Sequence, residues 1–138
     1  MGSAIGWTLG TLATLAFVGF VFLLVRGGAQ PYRAERALAV RLAQDGRPAG
    51  AEVLRLDRQP GGDDLFAVPM KLAVRYADAT GGKRYTDLHV YIDKELLANF
   101  MPGRTVHVRY DPEDPGRVAV DRALTPTEIP AEWRRAAP

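Results

Sequence analysis

The chain has 138 residues, 25% of them charged, with a formal net charge of +2 and no cysteine. That balance gives no field strong enough to argue for nucleic acid, and the lack of cysteine excludes disulfides, thiolate zinc sites and cysteine nucleophiles. Charge is segregated: the first 25 residues carry none, and the remainder is enough for one small domain.

Ile5 to Val25 is a run of 21 residues without Asp, Glu, Lys, Arg, His, Asn, Gln or Pro. As a helix rising about 1.5 Å per residue, it matches the roughly 30 Å hydrocarbon thickness of a bilayer. Residues 1–28 are therefore predicted to be a transmembrane anchor. A cleaved signal peptide is the rival, and Gly27-Gly28-Ala29 offers small residues before a cut. The run is longer than a typical signal core, however, and no basic residue precedes it. Arg26, Arg33, Arg36 and Arg41 follow it, within the window where the positive-inside rule is counted. They place the N-terminus outside and the C-terminal domain in the cytoplasm, and they are candidates for lipid-headgroup contact. Gly6 and Gly10 lie four apart on one helix face, through which two spans could pack into a homo-oligomer.

Residues 29–46 read as a juxtamembrane connector helix, with Ala34, Ala37, Leu38 and Leu42 recurring on one side and Asp45-Gly46 as its stop. From there the apolar period changes to two. A first strand over 51–57 carries adjacent apolars at Val53 and Leu54, which suggests a bulge. A second has Met70, Leu72, Val74 and Tyr76 inward, with Pro69 near its start suggesting an edge position or a bulge. After a turn at Gly81-Gly82, a third strand has Leu88, Val90 and Ile92 inward. Asp93 is a candidate N-cap for a short helix ending at Pro102-Gly103. Val106, Val108 and Tyr110 mark a fourth strand, and Val118 and Val120 a fifth. Five strands with a helix between the third and fourth give the order of an OB-like or partly open small β-barrel over residues 47–123, followed by a tail at 124–138. In that tail, Ile129 and Trp133 could pin the chain to the barrel or to lipid.

The block F-M-P-G-R-T-V-H-V-R-Y-D-P-E-D-P-G-R-V-A-V-D, from Phe100 to Asp121, resembles the C-terminal signature of the bacterial family called domain of unknown function 3592. An A-x-V strand (Ala51, Val53) and a V-x-Y strand (Val74, Tyr76) are similar to the rest of that domain, so the resemblance covers roughly residues 50–121. It implies one or more membrane helices with a small β-domain. The family has no established catalytic residues, so the resemblance implies none here.

The residues themselves present little chemistry. Asp111, Pro112, Pro115 and Gly116 form a structural turn, in which Asp before Pro starts the reversal and proline pre-sets the dihedral. The two histidines are too few for a zinc site, and no nucleophile–base pair or phosphate loop is present. No cofactor, metal or nucleic acid is therefore expected. Arg75, Tyr85, His89, Tyr91, His107 and Arg109 point outward from the strands and form the candidate binding face. The expected function is a non-catalytic protein-binding or scaffold module on a single-pass membrane anchor. The alternatives are a structural subunit assembled through the span, or a periplasmic envelope-binding or immunity-type domain.

Overall fold

In the computed structural model, which describes residues 30–61 and 66–136, the period-two stretches become strands. The elements are helix α1 (residues 30–45), β1 (Arg47–Arg58), β2 (Ala67–Ala77), β3 (Lys83–Asp93), a 3-10 helix (Lys94–Phe100), β4 (Thr105–Tyr110), β5 (Val118–Val120) and α2 (Ala131–Ala136). The chain divides into two units, Met1–Pro31 and Tyr32–Pro138. Of the first, only Gln30 and Pro31 are described, both helical. The predicted span at 5–25, with Gly6, Gly10 and Arg26, lies outside the described residues. Among the described residues no helix is long and apolar enough to cross a membrane.

The second unit is built on one antiparallel sheet in the order β3-β2-β1-β4-β5. β1 is central because it pairs on both sides: residues Arg47 to Glu52 face β4, and Ala51 to Arg58 face β2. The register slips between Val53 and Arg55, so Leu54 is the extra, exposed residue of a bulge. A bulge bends and twists its strand, and this one falls where β1 passes from one partner to the other. The adjacent apolars at 53 and 54 are its sequence trace.

Pro69 departs from expectation. β2 is an interior strand, and Pro69 is fully buried opposite Tyr91. Its carbonyl accepts the Gln59 N–H at 2.9 Å, just past the end of β1. N–H and C=O of one strand residue point to the same side. The donor that proline lacks therefore faces the place where β1 has ended.

The inward residues of all five strands make one core: Val53, Met70, Leu72, Val74, Leu88, Val90, Ile92, Val106, Val108, Val118 and Val120 among them. Phe100, at the end of the 3-10 helix, is completely buried in the same cluster. Its helix therefore serves as the mount for a plug. Asp93, expected as the cap of that helix, makes no capping hydrogen bond. It holds the C-terminal tail instead: its N–H donates to the Thr127 carbonyl at 2.9 Å, and its Oδ2 accepts the Ile129 N–H at 2.6 Å. Thr125 Oγ1 accepts the His107 N–H at 2.9 Å. The tail thus runs from β4, next to the β5 edge, to the opposite edge at β3, nearly closing a barrel-like sheet, while Trp133 stays exposed.

Candidate binding surface

The outer face of β1, β2 and β3 follows from strand alternation, and cross-strand neighbours decide its charge. Arg75 lies opposite Glu52 and is hydrogen-bonded to it. Lys71 reaches Asp87 at 3.7 Å, and Arg55 reaches Asp57 at 3.0 Å. A hydrogen bond with exposed Tyr85, then the Glu52 carboxylate, raise the Arg75 pKa above its ordinary value. Each of these cations has an acidic neighbour, so the face is a patchwork of exposed pairs rather than a basic stripe. Such pairs are screened by solvent and add little to stability.

The six residues expected on one binding face are divided among three places. Arg75 and Tyr85 stay outward on β2 and β3. His89 and Tyr91 lie under Tyr32 of α1, whose ring meets His89 edge-on at 5.5 Å and Tyr91 at 4.6 Å. Tyr32 is buried, which raises its phenol pKa, with Tyr91 adding to the effect. His107 and Arg109 are on β4, separated from β3 in the sheet by β2 and β1. Arg109 is committed: its Nε donates to Asp121 at 3.1 Å and its Nη1 to the Gly46 carbonyl at 2.9 Å. His107 remains exposed.

Helix α1 docks on a face that its predicted apolar stripe marks only in part: Leu42 is fully buried and Leu38 half-buried. Ala34 and Ala37 are exposed, while Tyr32, Glu35 and Leu42 are buried. Glu35 is the key to the docking. Its Oε1 accepts the Val120 N–H at 3.0 Å, and its two oxygens take Arg122 Nη1 at 3.0 Å and Nη2 at 2.6 Å. Two parallel bonds from one guanidinium are the strong, planar form of a carboxylate pair. Glu35 and Arg122 were not among the expected site residues. The only local trace is spacing: Glu35 is three residues from Tyr32 and seven from Leu42, on one helical face.

The arginines assigned to lipid also divide. Arg33 is exposed. Arg36 reaches Glu128 of the tail at 3.8 Å, and Arg41 reaches Asp111 of the β-domain at 3.1 Å.

The Asp111-Pro112-Glu113-Asp114-Pro115-Gly116 segment is a self-bonded turn. Asp111 Oδ1 accepts the Glu113 N–H at 2.9 Å, the Asp111 N–H donates to the Arg117 carbonyl at 2.9 Å, and the Asp114 carbonyl accepts the Arg117 N–H at 2.9 Å. Tyr76 O–H donates to the Pro115 carbonyl at 2.6 Å, and its ring stacks near Tyr110 at 6.2 Å. The V-x-Y strand and the Y-D-P-x-x-P turn are therefore one device, in which a buried tyrosine from β2 ties down the turn after β4. Burial is the main cause raising the Tyr76 phenol pKa. Tyr76→Phe is expected to lower unfolding free energy by about 1 kcal/mol, the net worth of one such bond, in urea titration.

Asp78 organises the β2–β3 turn in the same manner. Its Oδ1 accepts from the Thr80 hydroxyl at 2.5 Å, the Thr80 N–H at 3.0 Å and the Gly82 N–H at 3.2 Å. Arg84 Nε donates to its Oδ2 at 2.8 Å. The Thr80 hydroxyl first, then Arg84, hold the Asp78 pKa down to about 2. The folded state thus favours the carboxylate, and its stabilisation is complete above the ordinary value of 3.8 and disappears as pH falls through about 2. The melting-temperature gap between wild type and Asp78→Asn should therefore be constant near neutrality and close between about pH 4 and pH 2.

Among the described residues no group of three His, Asp or Glu side chains converges on a metal position. A groove of about 370 Å³ lies between α1 and the tail, lined by Val40, Ala43, Ala119, Arg122, Ala123 and Pro126 among others. No curated protein and no solved structure matches the chain. A family model described as Domain of unknown function (DUF3592) matches residues 46–125, which span all five strands, the Tyr76-bound turn and the first part of the closing tail. The chain belongs to that family.

Proposed function

We propose that the chain is a non-catalytic protein-binding module, anchored in the bacterial inner membrane by residues 5–25, with its domain in the cytoplasm. The observation that carries the reading is the uncharged 21-residue run ahead of a domain in which five carboxylates are spent on backbone and arginine. Glu35, Asp78, Asp93, Asp111 and Asp121 each hold backbone or an arginine. The strand order also favours an OB-like barrel: β1 lies between β2 and β4, and a helix connects β3 to β4. Barrels of that kind present a strand face and its loops to partners. Here the face is charge-neutralised, which favours a protein over a nucleic acid.

Paired C-terminal fusions test the anchor and its direction. A fluorescent protein at the C-terminus should be bright in the membrane fraction, and alkaline phosphatase at the same point inactive. An active phosphatase moves the domain to the periplasm and favours an envelope-binding or immunity-type role. A fusion found wholly in the soluble fraction overturns the anchor.

A further inference from the structure

The strand β5 has only three residues, and among the described residues no strand covers its outer edge. On the β4 side, Asp121 N–H donates to the His107 carbonyl at 2.9 Å. Alternation then turns the Val120 N–H the other way, to the free edge. A side chain takes that donor: Glu35, whose carboxylate is also gripped by both Arg122 nitrogens. An edge N–H beside an arginine fork is a receptor for a strand that carries a carboxylate, because backbone pairing gives affinity and the fork reads the charge. The groove between α1 and the tail opens on the same residues, Val120 and Arg122, and has a floor of small side chains at Ala119 and Ala123.

We propose that the β5 edge is a docking site for an extended, carboxylate-bearing peptide segment of a partner protein, and that α1 keeps it shut with Glu35 standing in for the partner's carboxylate. The proposal rests on the binding-module reading and names that module's contact. The two ends of α1 are held differently. Leu42 is buried, Arg41 meets Asp111, and Arg109 binds the Gly46 carbonyl, so the C-terminal end is fixed. Toward the N-terminal end, Tyr32 and Glu35 are the buried residues, and Val40 is 71% exposed over the groove. Lifting that end off the sheet, which also parts Tyr32 from His89 and Tyr91, frees the Val120 N–H, Arg122 and the groove together. The occupant is fixed by charge complementarity: the site already holds a carboxylate, and a neutral strand would leave the Arg122 guanidinium without a counterion, its Nη1 keeping only the Val120 carbonyl at 3.3 Å.

The test uses the full chain in detergent micelles and a short Val/Thr peptide with one central Glu, alongside its Gln twin. Glu35→Ala is expected to bind the Glu peptide at least about tenfold more tightly than wild type, since apparent affinity rises with the open fraction. The Gln peptide, and the Glu35→Ala, Arg122→Gln double variant, should lose that gain. Equal affinities for wild type and Glu35→Ala, or for the two peptides, overturn the proposal. If Glu35→Ala does not fold, hydrogen exchange in the wild type decides. The Val120 amide should then exchange at least about a hundredfold faster than that of interior Leu72, through local opening. Matching rates overturn it. A photo-crosslinker at Ala123 and another at Tyr85 separate the two readings. Partner adducts from Tyr85 alone refute the edge site but leave the binding module standing, and none from either position removes both.

Discussion

Phe100→Ala is expected to lower the unfolding free energy by about 3–5 kcal/mol, the usual range for deleting a fully buried phenylalanine. In a domain of this size that is a drop of more than about 10 °C in melting temperature, read by circular dichroism. The reason is local as well as volumetric. Phe100 is the one fully buried side chain of the 3-10 helix, and Leu96 and Leu97 only lean on the core from outside. Its loss leaves both a cavity and a helix with little reason to stay, so relaxation cannot fill the space from the strands. Phe100→Leu keeps most of the apolar volume and should cost about 1.5 kcal/mol or less. A similar cost for the two variants would show that the helix, and not the plug, carries the energy.

Glu35→Ala is expected to cost roughly 3 kcal/mol, unusual for a glutamate on a helix. Two groups lose their acceptor at once. The Val120 N–H is left in a site that Glu35 keeps dry, and Arg122 keeps its charge without a counterion. The Arg122 side chain is 30% exposed, so water recovers part of the second loss. Glu35→Gln retains an oxygen for Val120 and should recover about half of the cost. Urea titration of the three proteins measures both steps. A change under about 0.5 kcal/mol for Glu35→Ala would place the pair among ordinary surface ion pairs.

The strands were legible because their signal is local. Met70 to Tyr76, Leu88 to Ile92 and Val106 to Tyr110 alternate cleanly, and each is buried in phase. The bulge could be read at Val53 and Leu54 for the same reason. What escaped was set by distance along the chain. Glu35 meets its partners 85 and 87 positions away, and nothing near it distinguishes a buried carboxylate from a solvated one. Asp93 before a helix reads as a cap by local rules, yet Ile129, 36 residues on, takes its side chain. The candidate face shows a third limit. Alternation put His89 and Tyr91 outside the barrel, which is correct, but it could not say that Tyr32 covers them. For α1, the alanines misled and Leu42 did not: the helix docks through Leu42 together with a carboxylate and a tyrosine that no apolar stripe marks.

Between α1 and β1 there is a single residue, Gly46. It has no room for play: a Cβ there would sit 2.6 Å from the Leu42 carbonyl oxygen and 2.8 Å from its Cβ. Its own carbonyl is held by Arg109, which Asp121, at the end of β5, holds in turn. In mechanical terms, this joint transmits torque. The helical residues from Tyr32 to Asp45 form a lever of about 20 Å at about 1.5 Å per residue, with its fulcrum set in the strand that organises the sheet. A small sideways displacement applied at Tyr32 is resisted by the barrel as a whole and tends to rotate it, unless the contacts of Glu35 yield first. Which of the two gives way depends on the stiffness of one ion pair.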